Sequence, residues 1–273
     1  MSIIDDRTDA IGTSHPRARP DARIISLVPS ITELLCDLGL QHQIVGRTGF
    51  CIHPRPVVRE IPKVGGTKDV NVDKVRELAP SHVIVNIDEN TRELVDEISG
   101  FIDNIVVTHP LGPEDNLGLF EMMGFLFSRV QEAASLARRF RDALNRLHTS
   151  FDRPPINVFY LIWRDPWMSI SSDTYISRML KLVNWNSLPQ SPHARYPSVD
   201  LKDFVGVVDK VLLSSEPYPF RAKHIAEISE LFDRQVEVKL VDGEMLSWYG
   251  SRAIAGLDYL KDFAANTNRN AMA

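Results

Sequence analysis

The chain reads as an α/β protein of two lobes, each with a parallel sheet, and three observations lead there. Apolar strand-like runs alternate with amphipathic helical runs from about residue 23 to 107, the pattern of successive parallel βα units. The same alternation resumes after Pro154 and Pro155. Between the two, residues 114–148 contain no proline and have a helix-favouring composition that includes EAASLARRFRDALNRL.

Taken in order, a first strand is predicted over 23–28 and a helix over 30–38, where Ser30 and Glu33 have the S-x-x-E spacing of a capping box. Strands follow over 43–45, 82–86 and 104–107, with helices over 72–78 and 91–99. Asn90 and Glu93 repeat the cap spacing. The stretch 114–148 predicts one helix roughly 50 Å long, a length that suits a connection between lobes. The second lobe reads as strand 156–162, helices 174–183 and 199–205, strand 210–214, helix 220–232, strand 236–241 and helix 251–264. Ser171, Ser172 and Asp173 are placed to cap the helix at 174. The limits are then a disordered tail (1–21), a first lobe (22–112), a bridging helix (113–150), a second lobe (151–265) and a frayed end (266–273).

Composition narrows the function. At 273 residues, with 44% hydrophobic and 25% charged residues, the chain can fill more than one core. Its 36 acidic and 31 basic residues give a formal charge of -5, and no stretch gathers cations into a stripe, so nucleic acid is not an expected partner. Cys36 and Cys51 are the only cysteines, and Cys36 lies on the apolar side of a short helix, so no disulfide framework is indicated. The opening MSIIDDRTDAIGTSHPRARPDA carries acids and no continuous apolar run, and no stretch of about 18 apolar residues occurs elsewhere. These residues predict no membrane insertion and a cytoplasmic location.

For catalysis there is no G-x-S-x-G elbow, no G-x-x-x-x-G-K loop and no H-E-x-x-H. The expectation is a protein that is not an enzyme and requires no cofactor. Asp88 and Glu89, in NIDEN after a strand, read as a general base or as the start of a helix.

The runs RIISLVPS, ITELLCDLGL, IVGRTGF and IPKVGGTKDVNVDKVRELAPSHVIV, with MSISSDTYISRMLKLVNWNSL in the second half, carry a resemblance. They resemble the helical-backbone (class III) substrate-binding proteins of bacterial vitamin and iron-chelate import, and most of all the cobalamin-binding branch, over about 22–261. The resemblance implies two Rossmann-like lobes bridged by one long helix, with ligand in the cleft at the strand C-termini. It implies ligand contacts from Pro29, Ser30, Phe50, Cys51, Gly66 and Thr67 on one lobe. On the other it implies Trp163, Arg164, Trp167, Tyr218, Trp248 and Arg252.

The implied ligand is a corrinoid such as cobalamin, with an iron-siderophore or haem as the alternative. The implied partner is an ABC-transporter permease, met by a surface carboxylate on each lobe, with Asp73 and Glu216 as the candidates, and the implied location is periplasmic. Against that stands the opening segment, which points to a cytoplasmic relative: an enzyme, ligand chaperone or sensor that reuses the cleft.

The residues themselves leave choices open. The rings of Trp163 and Trp167 in IWRDPW, and of Trp248 and Tyr249 in DGEMLSWYGSR, could stack on a planar ligand or pack a core. Arg164 and Arg252 offer planar donor forks to carboxylate or phosphate, or form ion pairs. Cys51 and His53 in GFCIHP and His109 in THPLGP are candidate metal ligands by donor type, without a complete ligand set.

Overall fold

The computed structural model describes residues 6–150, 154–191, 193–232 and 236–266. The chain divides into two compact units. The first comprises residues up to Pro110 with Glu114–Phe140 and Tyr249–Arg252; the second comprises Leu111–Pro113, Arg141–Trp248 and the chain from Ala253 onward.

The first unit begins with β1 (Asp6–Thr8) and β2 (Ser14–Pro16), an antiparallel hairpin in which Arg7 pairs with His15. This corrects the expectation of a disordered tail over 1–21, for the described part of it. Asp9 organises the turn: its carboxylate accepts from the amides of Ile11 (3.1 Å), Thr13 (2.9 Å) and Val107 (3.0 Å), and lies 3.1 Å from His15 Nε2. The signal was the run D-A-I-G-T, an Asx-type turn with a glycine, Gly12, at φ 87°.

The sheet of this unit has the order β4-β3-β5-β6, all parallel. Its elements are β3 (Ile24–Ser26), α1 (Pro29–Asp37), β4 (Ile44–Arg47), α2 (Arg55–Val58), α3 (Val72–Glu77), β5 (His82–Asn86), α4 (Arg92–Ser99) and β6 (Asn104–Thr108). Every residue of β5 is buried, as expected for a strand inside a parallel sheet. Ile25, Leu27, Val75, Val83 and Ile98 centre the core on one side. The two predicted caps differ from the observed ones. Val28 is the N-cap of α1 with no side-chain bond, because Ser30 is buried in the first turn and Glu33 is bound to Arg252. Thr91, not Asn90, caps α4, accepting from the Leu94 amide, while Asn90 turns back to the Asn86 amide.

The single long helix expected over 114–148 is two: α5 (Asp115–Leu126) and α6 (Val130–His148). One continuous helix could not turn Phe125, Leu126 and Phe127, three consecutive apolar residues, to the same side. The chain instead reverses at Ser128, at φ 56°, and all three are buried. Gly124 permits the tight turn, since a Cβ there would lie 2.4 Å from that of Ala133. α6 is about 28 Å long by its 19 residues. Its residues through Phe140 belong to the first unit and those from Arg141 to the second, so it still links the two.

The second unit contains β7 (Ile156–Trp163), β8 (Met168–Ser169), α7 (Tyr175–Lys181), β9 (Trp185–Leu188), β10 (Lys210–Ser214), α8 (Ala222–Leu231), β11 (Glu237–Val241), α9 (Gly243–Ser247) and α10 (Arg252–Asn266). Strands β11, β10 and β7 are parallel neighbours. The other edge of β7 is shared by β9, parallel, along its first half and by β8, antiparallel, along its second. Thr174 caps α7 by accepting from the Ser177 amide, in place of the three preceding residues. The helix predicted over 199–205 is one 3-10 turn, Leu201–Phe204, stopped by Gly206 at φ 79°. Of the expected frayed end, only Asn266 falls within the described residues, and it closes α10.

Candidate ligand-binding site

Ligands of open parallel sheets sit at the carboxyl ends of the strands, so those ends are the place to look in each unit. In the first unit, three loops there are tied together. The Gly49 amide donates to Gly65 O (2.7 Å), and Asn90 Nδ2 donates to Thr67 O (2.8 Å). A Cβ on Gly66 would lie 3.5 Å from the Phe50 ring. The turn itself depends on Gly65, the first glycine of the run GGTKD: φ is 117°, and a Cβ would come within 2.3 Å of Asp69 O.

On these loops Phe50 is 62% exposed, Ile87 46% and Ile52 39%. Three large apolar side chains open to solvent beside strand ends make this a candidate binding surface, because a folded chain hides such groups where it can. Phe50 and Gly66 are thus brought together, with Thr67 next in the same loop. Ile52 and Ile87 were missed, although an isoleucine inside the polar run NIDEN was a legible signal.

Other expected first-unit residues lie deeper. Pro29 and Ser30 are buried in the first turn of α1. Cys51 is fully buried, its Sγ 3.1 Å from both Thr32 Oγ1 and Thr48 Oγ1, and burial pushes its thiol pKa up. A buried thiol held in that form is not a metal ligand at a loop tip, which corrects its candidacy there. His53 is half-buried, and His109 Nε2 faces Asp88 at 3.6 Å. Among the described residues no three His, Cys, Asp or Glu side chains converge on a metal position. Glu89 is also engaged, accepting from the Tyr249 hydroxyl at 3.2 Å.

Arg252 is likewise committed. Its guanidinium meets Glu33 with two bonds of 2.7 and 2.8 Å, and both side chains are more than four-fifths buried. Gly250, at φ 77°, donates to Asn116 Oδ1 at 2.6 Å. The segment Tyr249–Arg252 is therefore a clamp on the first unit, and Arg252 is a structural ion pair instead of a ligand contact.

In the second unit, rings line the strand ends. Trp163, 40% exposed, closes β7 and meets Tyr218 edge-on at 5.8 Å. Tyr218 leans on Phe220 at 4.7 Å, and Phe220 stacks parallel to Trp167 at 6.2 Å. Arg164 lies 5.6 Å over the Trp167 ring and bonds Glu227 at 2.6 Å, which keeps its pKa raised. The guanidinium is therefore satisfied within the protein.

Trp248 does not join this cluster. It is 9% exposed, and its Nε1 donates to Glu216 Oε1 at 3.0 Å; Ser247 Oγ donates to the same oxygen at 2.8 Å. Burial pushes the Glu216 carboxyl pKa up. Glu216 is thus an internal acceptor and not a surface docking carboxylate, because its oxygen is spent on holding Trp248 and Ser247. Asp73, in the first turn of α3, is exposed.

Two α/β units, each with exposed apolar side chains at the carboxyl ends of parallel strands, define the class: a two-unit α/β binding protein. The chain belongs to the periplasmic binding protein family, whose model matches residues 24–205. It is similar to the vitamin B12-binding protein of Vibrio cholerae serotype O1, at 22% identity over 72% of this chain and 71% of that protein. The crystal structure of the periplasmic vitamin B12-binding protein of Vibrio cholerae superposes with a TM-score of 0.75, at 20% identity, over 90% of this chain and 97% of that one. The apo periplasmic haem-binding protein of Roseiflexus sp. RS-1 superposes with a TM-score of 0.73, at 17% identity, covering 90% and 98%. An ABC-transporter substrate-binding lipoprotein of Bacillus subtilis (strain 168) is 24% identical over 88% of this chain and 79% of its own length. No helix among the described residues is long and apolar enough to cross a membrane.

Proposed function

We propose that this protein is an ABC-transporter substrate-binding protein whose cargo is a bulky, partly planar metal chelate, a corrinoid first and an iron-siderophore or haem second. The carrying observation is the solvent-open apolar surface at both sets of strand ends: Phe50, Ile52 and Ile87 on one unit, and Trp163 backed by Tyr218 on the other. Aromatic and aliphatic faces hold a large ring system by excluding water, and no side chain there needs to do chemistry on it. The names of the relatives supply the ligand class.

Delivery to a permease requires the protein on the outer side of the cytoplasmic membrane, with Asp73 as a docking carboxylate. Cell fractionation that recovers it only with cytoplasmic markers overturns this part and favours a ligand chaperone or sensor.

Calorimetric titration with cyanocobalamin, cobinamide, haemin and a ferric siderophore tests the cargo. Replacing an exposed aromatic anchor commonly costs about 2 kcal/mol, roughly a thirtyfold weakening. Trp163→Ala is expected to show that loss with the melting temperature nearly unchanged. Failure of all four chelates to bind the parent rejects the cargo; normal binding by Trp163→Ala rejects the ring surface.

A further inference from the structure

Three sheet edges are closed by neighbouring segments. The Ala10 amide donates to Val107 O (3.0 Å) beside β6, the Arg47 amide to Pro62 O (3.0 Å) beside β4, and the Ser169 amide to Pro197 O (3.1 Å) beside β8. β11 is different. It bonds β10 on one side, and among the described residues no strand pairs with the other. Every residue of β10 is buried, whereas the first three of β11 are half-buried and Leu240 is 38% exposed. The register with β10 runs unbroken from Glu237 to Val241, without the proline or bulge that commonly blunts an edge.

The phase of the backbone decides which groups face outward. Val241 O accepts from the Ser215 amide at 3.0 Å, so the N–H and C=O of Val241, and with them those of Lys239 and Glu237, are turned towards β10. Those of Val238 and Leu240 point away from the sheet, with Val236 in the same phase. The side chains are palindromic about Val238. Val236 and Leu240 flank it on its own face, and Glu237 and Lys239 flank it on the other.

Two copies of β11 laid antiparallel, Val238 opposite Val238, exchange two N–H···O bonds at the centre and bring Leu240 beside Val236 of the second copy. Glu237 then falls opposite Lys239 in both halves, in the close pairs that make no backbone bond. A shift of two residues sets Lys239 against Lys239 or Glu237 against Glu237. One register thus satisfies both backbone and charge. Charged side chains on an edge ordinarily turn other strands away. Here Glu237 already holds Lys239 at 2.5 Å and the buried Lys210 at 2.6 Å, so pairing extends an existing network across the two copies.

We propose that the outer edge of β11 binds a second copy of this chain, in an antiparallel two-fold pairing centred on Val238. Main-chain bonds hold the two strands together, and the Glu237–Lys239 pairs fix the register.

Sedimentation velocity on the full chain, from about 10 μM to about 1 mM, tests this, because a contact of one strand edge is small and therefore weak. The weight-average sedimentation coefficient is expected to rise from that of a monomer towards that of a dimer. Over the same range, amide hydrogen exchange followed by NMR is expected to slow at Val238 and Leu240 and to stay unchanged at Lys239, whose N–H already faces β10. Lys239→Glu sets carboxylate against carboxylate and is expected to weaken the dimer at least tenfold. Val238→Pro removes the central outward N–H without breaking a bond to β10 and must give a like loss, which keeps the test valid if Lys239→Glu disturbs the fold. A chain that stays monomeric throughout overturns the second copy as occupant, in favour of a strand from another protein or of none. Dimers without slowed exchange at Val238 and Leu240, or parent-like dimers formed by either variant, overturn it as well.

Discussion

At the first unit's strand ends, Phe50, Ile52 and Ile87 stand on loops joined by one backbone bond and one bond from the Asn90 side chain to a backbone carbonyl; at the second unit's, Trp163, Tyr218, Phe220 and Trp167 lean on one another ring to ring. The difference teaches where rigidity comes from. In the first, the loops hold their shape through Gly49, Gly65, Thr67 and Asn90, and the apolar side chains ride on them. In the second, the side chains are themselves the scaffold. Removing an inner ring there, Tyr218 or Phe220, should disturb its neighbours, whereas removing Trp163 from the exposed end of the row, or a side chain from the first, should stay local.

The largest expected effect separates a tryptophan inside the second unit from one at its surface. Trp248→Ala should lower stability by about 3–5 kcal/mol, as loss of a buried aromatic does. Its effect on chelate binding, measured beside Trp163→Ala, should be small. If Trp248→Ala binds poorly and melts normally, the division between scaffold and surface fails.

Next in size is a contrast in pH response. His82, in β5, is buried near His15 and held down to a pKa of about 4 from 6.5, chiefly by burial. It is neutral in the fold, so the stability it protects is intact above about pH 6.5 and is lost as pH falls towards 4, by about 3 kcal/mol in total. Glu216 in the second unit has the opposite slope. Its folded pKa is raised above 4.5, so the fold gains stability as pH falls through that raised value. Urea midpoints at pH 7 and pH 4.5 should fall with acid in the parent, fall less in His82→Gln, and fall more in Glu216→Gln. Identical slopes in all three would show that neither group governs acid stability.

Breaking the clamp on α1 comes third. Arg252→Ala leaves Glu33 with most of its surface covered and no cation, which should cost about 2 kcal/mol or more in thermal or chemical unfolding. The double variant Arg252→Ala with Glu33→Gln should recover part of it; no recovery would mean that the pair is not the cause. The smallest effect sharpens the first comparison: Phe50→Ser should change the unfolding free energy by less than about 0.5 kcal/mol, since Phe50 is mostly exposed. A larger drop would make Phe50 part of the scaffold after all.

Much of the architecture was legible because hydrophobic periodicity is local. The parallel strands β3 to β7, β10 and β11 and most helices lie within a few residues of where the alternation puts them, whereas β8 and β9 were not anticipated; Phe50, Gly66, Thr67 and Tyr218 sit on loops and Trp163 closes β7. The order β4-β3-β5-β6 and the split of β7's edge between β8 and β9 carry no local signature, because they depend on pairings between distant segments.

Sequence by itself determined two parallel α/β units, the strand ends as the places to look, and a family whose members are binding proteins, since period, turn chemistry and motif order reside in neighbouring residues. Tertiary structure alone decided which polar and aromatic groups remain free for a ligand. Arg252, Glu216, Cys51 and Trp248 have the right chemistry and lie near the right places, yet Glu33, Ser247 with Trp248, Thr32 with Thr48, and Glu216 respectively claim them. A side chain's partner is chosen by whichever group the fold brings within hydrogen-bonding distance, and in the Arg252–Glu33 pair that group lies 219 residues away along the chain.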